Sequence, residues 1–309
     1  MIRNTEVRQR HLLLPIEALT AHRGIARRSE LYEQEAGGCL PVQPVRALRN
    51  ASLRPQDIRM VVVTSCTGFM MPSLTAHLIN DLGLPGSTVQ LPIAQLGCVA
   101  GAAAITPLTI SPGRDRTVMC CWCPWSFPRC ATSRRMPNCN PSLPARCSAM
   151  PSPPACCVPT MGRRDSGSKP PAPSFCLTAS TTFATRYSIP VFHFRLDKAV
   201  MKAISAVAPE MERLSREHFD QVCARCDFFI FHTGGRRILD ELVAHLTLAE
   251  EQVAPSRASL AEVGSVASVV VFDVLRRLFE NPPEAGARGL LAAFGPGFSA
   301  EMALGRWTD

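Results

Sequence analysis

The stretch from Leu91 to Ala104 restricts the fold of this chain more than any other. Leu91-Pro92-Ile93-Ala94 is an apolar run of strand type, Gly97-Cys98 makes a tight turn, and a small-residue helix, Ala100-Gly101-Ala102-Ala103-Ala104, begins directly after it. Small side chains let such a helix pack close to its neighbours and leave room for a substrate. A thiol at the head of the helix faces unpaired N–H groups and the positive end of the dipole, which favour thiolate over thiol. Cys98 is therefore a candidate nucleophile. The competing reading is a small buried hydrophobe, the commonest state of an unpaired cysteine.

The chain has 309 residues, enough for one large domain or two medium ones. No apolar run reaches membrane-spanning length, and the N-terminus lacks the charged-then-apolar pattern of a signal peptide, so a cytoplasmic protein without a membrane partner is expected. Fourteen cysteines and a net charge of +8 would ordinarily point to metal sites or nucleic acid. Both features are local. Residues 106–190 hold nine of the 14 cysteines, 15 of the 27 prolines and ten Lys/Arg against only Asp115 and Asp165. The remainder carries 23 basic and 23 acidic residues and no net charge, so nothing indicates a nucleic-acid surface.

Taken in order, Arg27 to Glu35 reads as a surface helix, and Met60-Val61-Val62-Val63-Thr64 as a buried strand. After the Thr67-Gly68 turn, Pro72 opens a helix with Leu74, Leu78, Ile79 and Leu82 on its apolar face, ended by Gly83. Thr88 to Leu91 is a further strand. Between Thr106 and Pro190 prolines break every window, and this segment is expected to be irregular or disordered. Order resumes at Phe192. Leu196–Val207 and Met211–Phe219 read as helices, and Asp227 to His232 as a buried strand ending in histidine. Thr233-Gly234-Gly235 turns into a helix over Ile238–Leu246, and Ala267–Phe279 is another helix. Gly289–Phe294 and Glu301–Leu304 are strands flanking Gly295-Pro296-Gly297. Alternating strands and helices indicate a layered α/β fold. The division expected is 1–105, carrying the cysteine, then the anomalous 106–190, then 191–309, carrying the histidine.

Gln95-Leu96-Gly97-Cys98-Val99-Ala100-Gly101 resembles the nucleophile motif of type III polyketide synthases, the chalcone-synthase-like condensing enzymes. Four further segments match in order: Thr64 to Pro72, Phe192-His193-Phe194 with Leu196-Asp197-Lys198, His232-Thr233-Gly234-Gly235 with Ile238-Leu239-Asp240, and Phe294-Gly295-Pro296-Gly297. The resemblance spans roughly 4–105 and 191–307. It implies a thiolase-like αβαβα fold, a homodimer, and decarboxylative condensation of malonyl-CoA onto a cysteine-bound chain, with CoA thioesters as substrates and no resident cofactor. Carried over residue by residue, Cys98 is the acyl acceptor, and His232 holds the thiolate and helps polarise the thioester carbonyl. Met71 matches a residue that reaches into the dimer partner's cavity, and Phe192 matches an aromatic at the cavity entrance. Gly235, Gly295 and Pro296 fall in matched substrate-binding segments. Cys66 matches a cavity-lining position, and a cysteine there resembles the bacterial tetrahydroxynaphthalene-synthase-like branch, with malonyl-CoA as starter and extender.

The chain departs from the family pattern in three places. Met1 comes too late for the family's first segment, part of its basic CoA entrance. Ser265, in Glu262-Val263-Gly264-Ser265-Val266-Ala267-Ser268, stands where the family has a catalytic Asn. A hydroxyl offers one donor on a short arm where an amide offers two in a plane. The third departure is 106–190. Read one nucleotide frame over, Ala145 to Ala155 permits A-L-F-G-D-A-V-A-A, close to a family segment. Met119-Cys120-Cys121-Trp122 gives V-L-L-V, the strand expected after the nucleophile helix, and Ser188-Ile189-Pro190 allows D-T-G in phase with Phe192. The segment therefore reads as a frameshifted translation bounded near Thr106 and Val191. An inactive product of a damaged gene and a ketoacyl-synthase-III-like fatty-acid enzyme are the alternatives. A metal module is disfavoured because Cys120, Cys121 and Cys123 lack a second, properly spaced pair.

Overall fold

A computed structural model of the chain describes residues 5–9, 25–39, 42–66, 68, 70–110, 117–122, 156–159, 175–176, 183–188, 191–196 and 200–307, with the backbone alone between 106 and 202. The first half contains α1 (Ile25–Cys39), α2 (Val42–Asn50), β1 (Ile58–Ser65), α3 (Leu74–Asp81), β2 (Val89–Ala94) and α4 (Ala100–Ile110). Then come β3 (Thr117–Trp122), β4 (Cys156–Pro159), β5 (Phe175–Cys176), β6 (Phe183–Ser188) and β7 (Val191–Leu196). The second half contains α5 (Val200–Phe219), β8 (Phe228–Phe231), α6 (Arg236–Leu246), α7 (Glu250–Glu262), α8 (Val270–Glu280), β9 (Arg288–Gly295) and β10 (Ser299–Arg306).

Two sheets organise the molecule, one in the order β2-β1-β3-β4 and the other β5-β10-β9-β8. Strands β1, β2 and β3 run parallel, as do β8 and β9, while β10 returns antiparallel to β9. The period of two along each buried strand sends alternate side chains to opposite faces. Val61 and Val63 face an outer layer made by Tyr32, Ala47, Leu48, Leu74 and Leu78 of α1 to α3. Val62 faces inward, as do Phe228, Ile230, Leu291 and Ala293 of the second sheet, onto α4 and α8. Phe229, Phe231, Leu290, Ala292 and Phe294 face outward again, onto α5 to α7. The result is helix, sheet, helix, sheet, helix. Phe229 and Phe231 stack at 5.1 Å, and full burial of each contributes roughly 1.5–3 kcal/mol.

The small residues of α4 are what allow the layers to close. A Cβ added at Gly101 would lie 1.9 Å from the Ser268 carbonyl oxygen, so backbone meets backbone there and only glycine fits. Pro92 sits in β2, which is an edge strand, the position where a missing N–H is tolerated.

Several expectations are corrected. Helix α4, read from the sequence over Ala100–Ala104, runs on through Pro107 to Ile110. Within 106–190, expected to be irregular, β3 takes an interior place beside β1, β4 pairs with β3, β5 pairs with β10, and β6 pairs with β7. Thr117 to Trp122 contains no proline, and the parallel ladder of β1 gives its backbone groups partners whichever side chains it carries. The rest of 106–190 lies outside the described residues. The two helices expected around Pro209 are one: α5 keeps a continuous buried stripe of Ile204, Val207, Ala208, Met211 and Leu214 across the proline. Pro72 precedes α3 rather than opening it, because Ser73 occupies the N-cap. Helix α7, unassigned from the sequence, has an amphipathic pattern obscured by small buried residues, Ser256 and Ser259.

Candidate active site

Cys98 lies in a short 3-10 turn, Gly97–Val99, which feeds directly into α4. Positive φ at Gln95 (69°) and Gly97 (59°) bends the chain sharply at the end of β2. The turn is clamped from the second sheet. A Cβ on Gly97 would approach Pro296 Cδ to 2.7 Å, and one on Gly295 would approach the Leu96 carbonyl oxygen and Val99 Cβ to 2.9 Å each. Gly295 and Pro296 thus form the floor on which the cysteine turn rests.

From the first sheet, Cys66 follows β1 and directs its sulfur 3.2 Å from the Gly97 carbonyl oxygen and 3.6 Å from Ser268 Oγ. Cys66 and Cys98 are close enough for their sulfurs to influence each other. Although Cys98 keeps some solvent contact, burial first and the neighbouring Cys66 second push its thiol up to about 12. A helix terminus by itself favours the thiolate; here the enclosure of the sulfur outweighs the dipole, and the resting form is the thiol.

His232 ends β8, where its N–H donates to the Ala292 carbonyl oxygen at 2.9 Å. Strand β9 continues from Ala292 to Gly295, which touches the cysteine turn, so the second sheet carries both the histidine and the floor of the turn. Burial lowers the imidazole to about 4, leaving it neutral near pH 7. Both ring nitrogens are buried and, among the described residues, have no hydrogen-bond partner, as is true of the hydroxyl of Thr233 beside it. Unpaired buried polar atoms are uncommon in folded proteins, and a catalytic role is one of the reasons they persist. Among the described residues no hydrogen bond joins His232 to Cys98.

Ser265 follows Gly264 (φ 77°) and is partly exposed; among the described residues it hydrogen-bonds neither Cys98 nor His232. Gly235 forms the N-cap position of α6, with open space where a Cβ would stand. Met71 is 97% exposed. The backbone of Phe192 lies in β7 opposite Tyr187, and its side chain lies outside the described residues. The structure thus brings Cys66, Cys98, Gly295 and Pro296 together and places His232 on the adjoining strand. Sequence reasoning did not single out Ser268 or Thr233. The only signal for Ser268 is a hydroxyl inside the otherwise apolar run Val266 to Phe272.

A neutral thiol at Cys98 and a neutral imidazole at His232 have a direct kinetic signature. Alkylation of Cys98 by iodoacetamide in the ligand-free protein is expected to rise about tenfold per pH unit between pH 6 and 9, following the thiolate fraction. A flat profile would instead reveal a preformed thiolate–imidazolium pair.

A helix layer enclosed by two sheets, with a cysteine at the head of its central helix, defines a thiolase-like enzyme. Residues 180–306 match the family described as chalcone and stilbene synthases, C-terminal domain. The chain is 52% identical to phloroglucinol synthase of Pseudomonas fluorescens over 312 residues, covering 100% of this chain and 88% of that protein. It is 40% identical to 1,3,6,8-tetrahydroxynaphthalene synthase of Streptomyces coelicolor, covering 99% and 82%. The crystal structure of the Streptomyces coelicolor tetrahydroxynaphthalene synthase superposes with a TM-score of 0.82 at 36% identity, covering 100% of this chain and 88% of that one. The chain belongs to the chalcone and stilbene synthase family of type III polyketide synthases.

Among the described residues no group of three or more His, Cys, Asp or Glu is placed to hold a metal ion, and no helix is long and apolar enough to cross a membrane.

Proposed function

We propose that this chain condenses malonyl-CoA units, decarboxylatively, onto an acyl group carried by Cys98, making a small polyhydroxylated aromatic. The observation that carries this reading is the enclosed Cys98 thiol at the head of the central helix, with the unpartnered His232 on the adjoining strand. Cys98 attacks the thioester carbonyl of an acyl-CoA; the C–S bond to CoA breaks, and the thiol proton ends on the departing CoA sulfur by way of His232. Malonyl-CoA then loses CO₂, leaving the enolate of acetyl-CoA. The enolate carbon attacks the Cys98 thioester, releasing the cysteine sulfur and a chain two carbons longer on CoA, ready for return to Cys98. His232 serves this sequence as a neutral imidazole, able to accept the Cys98 proton and to donate an N–H to the thioester oxygen.

Cys66, Phe192, Gly235, Gly295 and Pro296 line the space for the growing chain, and the similarity to phloroglucinol and tetrahydroxynaphthalene synthases supports malonyl-CoA as starter and extender. A homodimer is supported by the exposed apolar side chains of Val89 in the edge strand β2, Leu96 just after it, and Met71, with Met71 reaching to the partner. Ser265 makes the decarboxylation slow. The purified chain given malonyl-CoA is therefore expected to release CoA measurably but slowly. No CoA release above a heat-denatured control, with the protein folded, would sink the reading.

A further inference from the structure

Ser268 is completely buried and lies in the 3-10 turn Ala267–Val269, which packs against the Cys98 turn. The turn is entered through Ala267 at φ 55°, a left-handed conformation that an alanine adopts only when its surroundings fix it. That bend sends the Ser268 carbonyl into the gap left by Gly101, and the Ser268 hydroxyl to the end of β1. There it lies 3.4 Å from Thr64 Oγ1 and 3.6 Å from Cys66 Sγ, while Cys66 Sγ lies 3.2 Å from the Gly97 carbonyl oxygen.

We propose that Ser268 is a positioning residue that holds the Cys66 sulfur against the Gly97 carbonyl and thereby acts on Cys98. The inference rests on the reading of Cys98 as acyl carrier for its importance, but its geometry is independent of the substrate. The thiol of Cys66 can rotate about its Cα–Cβ bond, and a soft sulfur alone is weakly directed. A fixed hydroxyl on one side and a carbonyl on the other select one rotamer. In that rotamer the Cys66 sulfur, held against the Gly97 carbonyl, helps enclose the Cys98 turn; once the hydroxyl is gone, the sulfur samples other rotamers, water reaches the turn, and Cys98 ionises more readily.

The test is the rate of Cys98 alkylation by iodoacetamide at pH 8, read by peptide mass spectrometry on the full chain. S268A is expected to react about threefold faster than the unsubstituted chain, the effect of about half a pKa unit. C66A is expected to react faster by a similar factor, and the C66A/S268A double variant no faster than C66A, since the serine acts through the cysteine. T64V removes the Thr64–Ser268 hydroxyl pair while leaving the Ser268–Cys66 contact in place, and is expected to keep the original rate. Equal rates in S268A and the unsubstituted chain overturn the proposal, as do additive effects in the double variant or an acceleration in T64V matching that of S268A. Should S268A not fold, C66A decides: unchanged alkylation there removes the route from Ser268 to Cys98, whereas faster alkylation supports it. None of these readouts uses malonyl-CoA, so loss of polyketide formation and loss of the coupling are separate results.

Discussion

Cys98→Ala is expected to reduce CoA release from malonyl-CoA by roughly a thousandfold or more, the scale on which removing a covalent nucleophile acts. The magnitude follows from what remains. Without the Cys98 sulfur there is no covalent carrier, so each condensation would have to join two dissociable CoA esters instead of one ester and a tethered chain. Cys66 is the nearest thiol, but its sulfur is engaged by the Gly97 carbonyl and Ser268. The substitution itself is mild: Cys98 is not completely buried, and Ala fits the turn Gly97–Val99, which continues into Ala100. An unchanged thermal unfolding midpoint would show that the loss is chemical. Turnover in the alanine variant within tenfold of the original chain would remove Cys98 from its role.

Ser265→Asn is expected to act in the opposite direction, raising CoA release roughly a hundredfold. Loss of one oriented donor to a developing oxyanion typically costs on the order of 3 kcal/mol. Decarboxylation of malonyl-CoA builds negative charge on a thioester oxygen, and that oxygen needs donors already in place. A serine hydroxyl in this position is one atom shorter than an asparagine amide and carries one proton instead of two. Ser265 is partly exposed and hydrogen-bonds neither Cys98 nor His232, so the longer side chain replaces no contact between those residues. Steady-state CoA release with saturating malonyl-CoA measures the effect. An unchanged or lower rate in a folded S265N protein would show that the position does not limit decarboxylation.

The parts of this molecule that the sequence made legible are those where local pattern and tertiary role coincide. Val61, Val62 and Val63 announced a buried strand because parallel strands are covered on both faces. Phe228 to Phe231 did so for the same reason, and delivered His232 at the strand end. The Gly-Cys turn was legible because Gly97 and Gly101 are needed for reasons visible only later: a positive φ at one and a carbonyl in the place of a Cβ at the other. What stayed hidden depends on burial and long-range partners. The electrostatics of Cys98 were inverted because a helix terminus is local, whereas the enclosure of its sulfur comes from residues distant in sequence. Ser268 is 204 residues from the Thr64 it approaches, and a serine in an apolar run carries no sign of that partnership. The strand Thr117 to Trp122 was legible only in the shifted frame, because neighbouring prolines dominated the window as translated, while its pairing with β1 depends on backbone groups alone.

The central claim is that Cys98 carries the acyl chain, and trapping that chain tests it most directly. The purified protein is incubated with malonyl-CoA, quenched in acid, digested and mapped by mass spectrometry. The expected result is an acyl group, malonyl, acetyl or a longer ketoacyl chain, on the peptide containing Cys98, persisting because Ser265 slows the next decarboxylation. An unmodified Cys98 peptide, or an acyl group carried on Cys66 instead, would contradict the account.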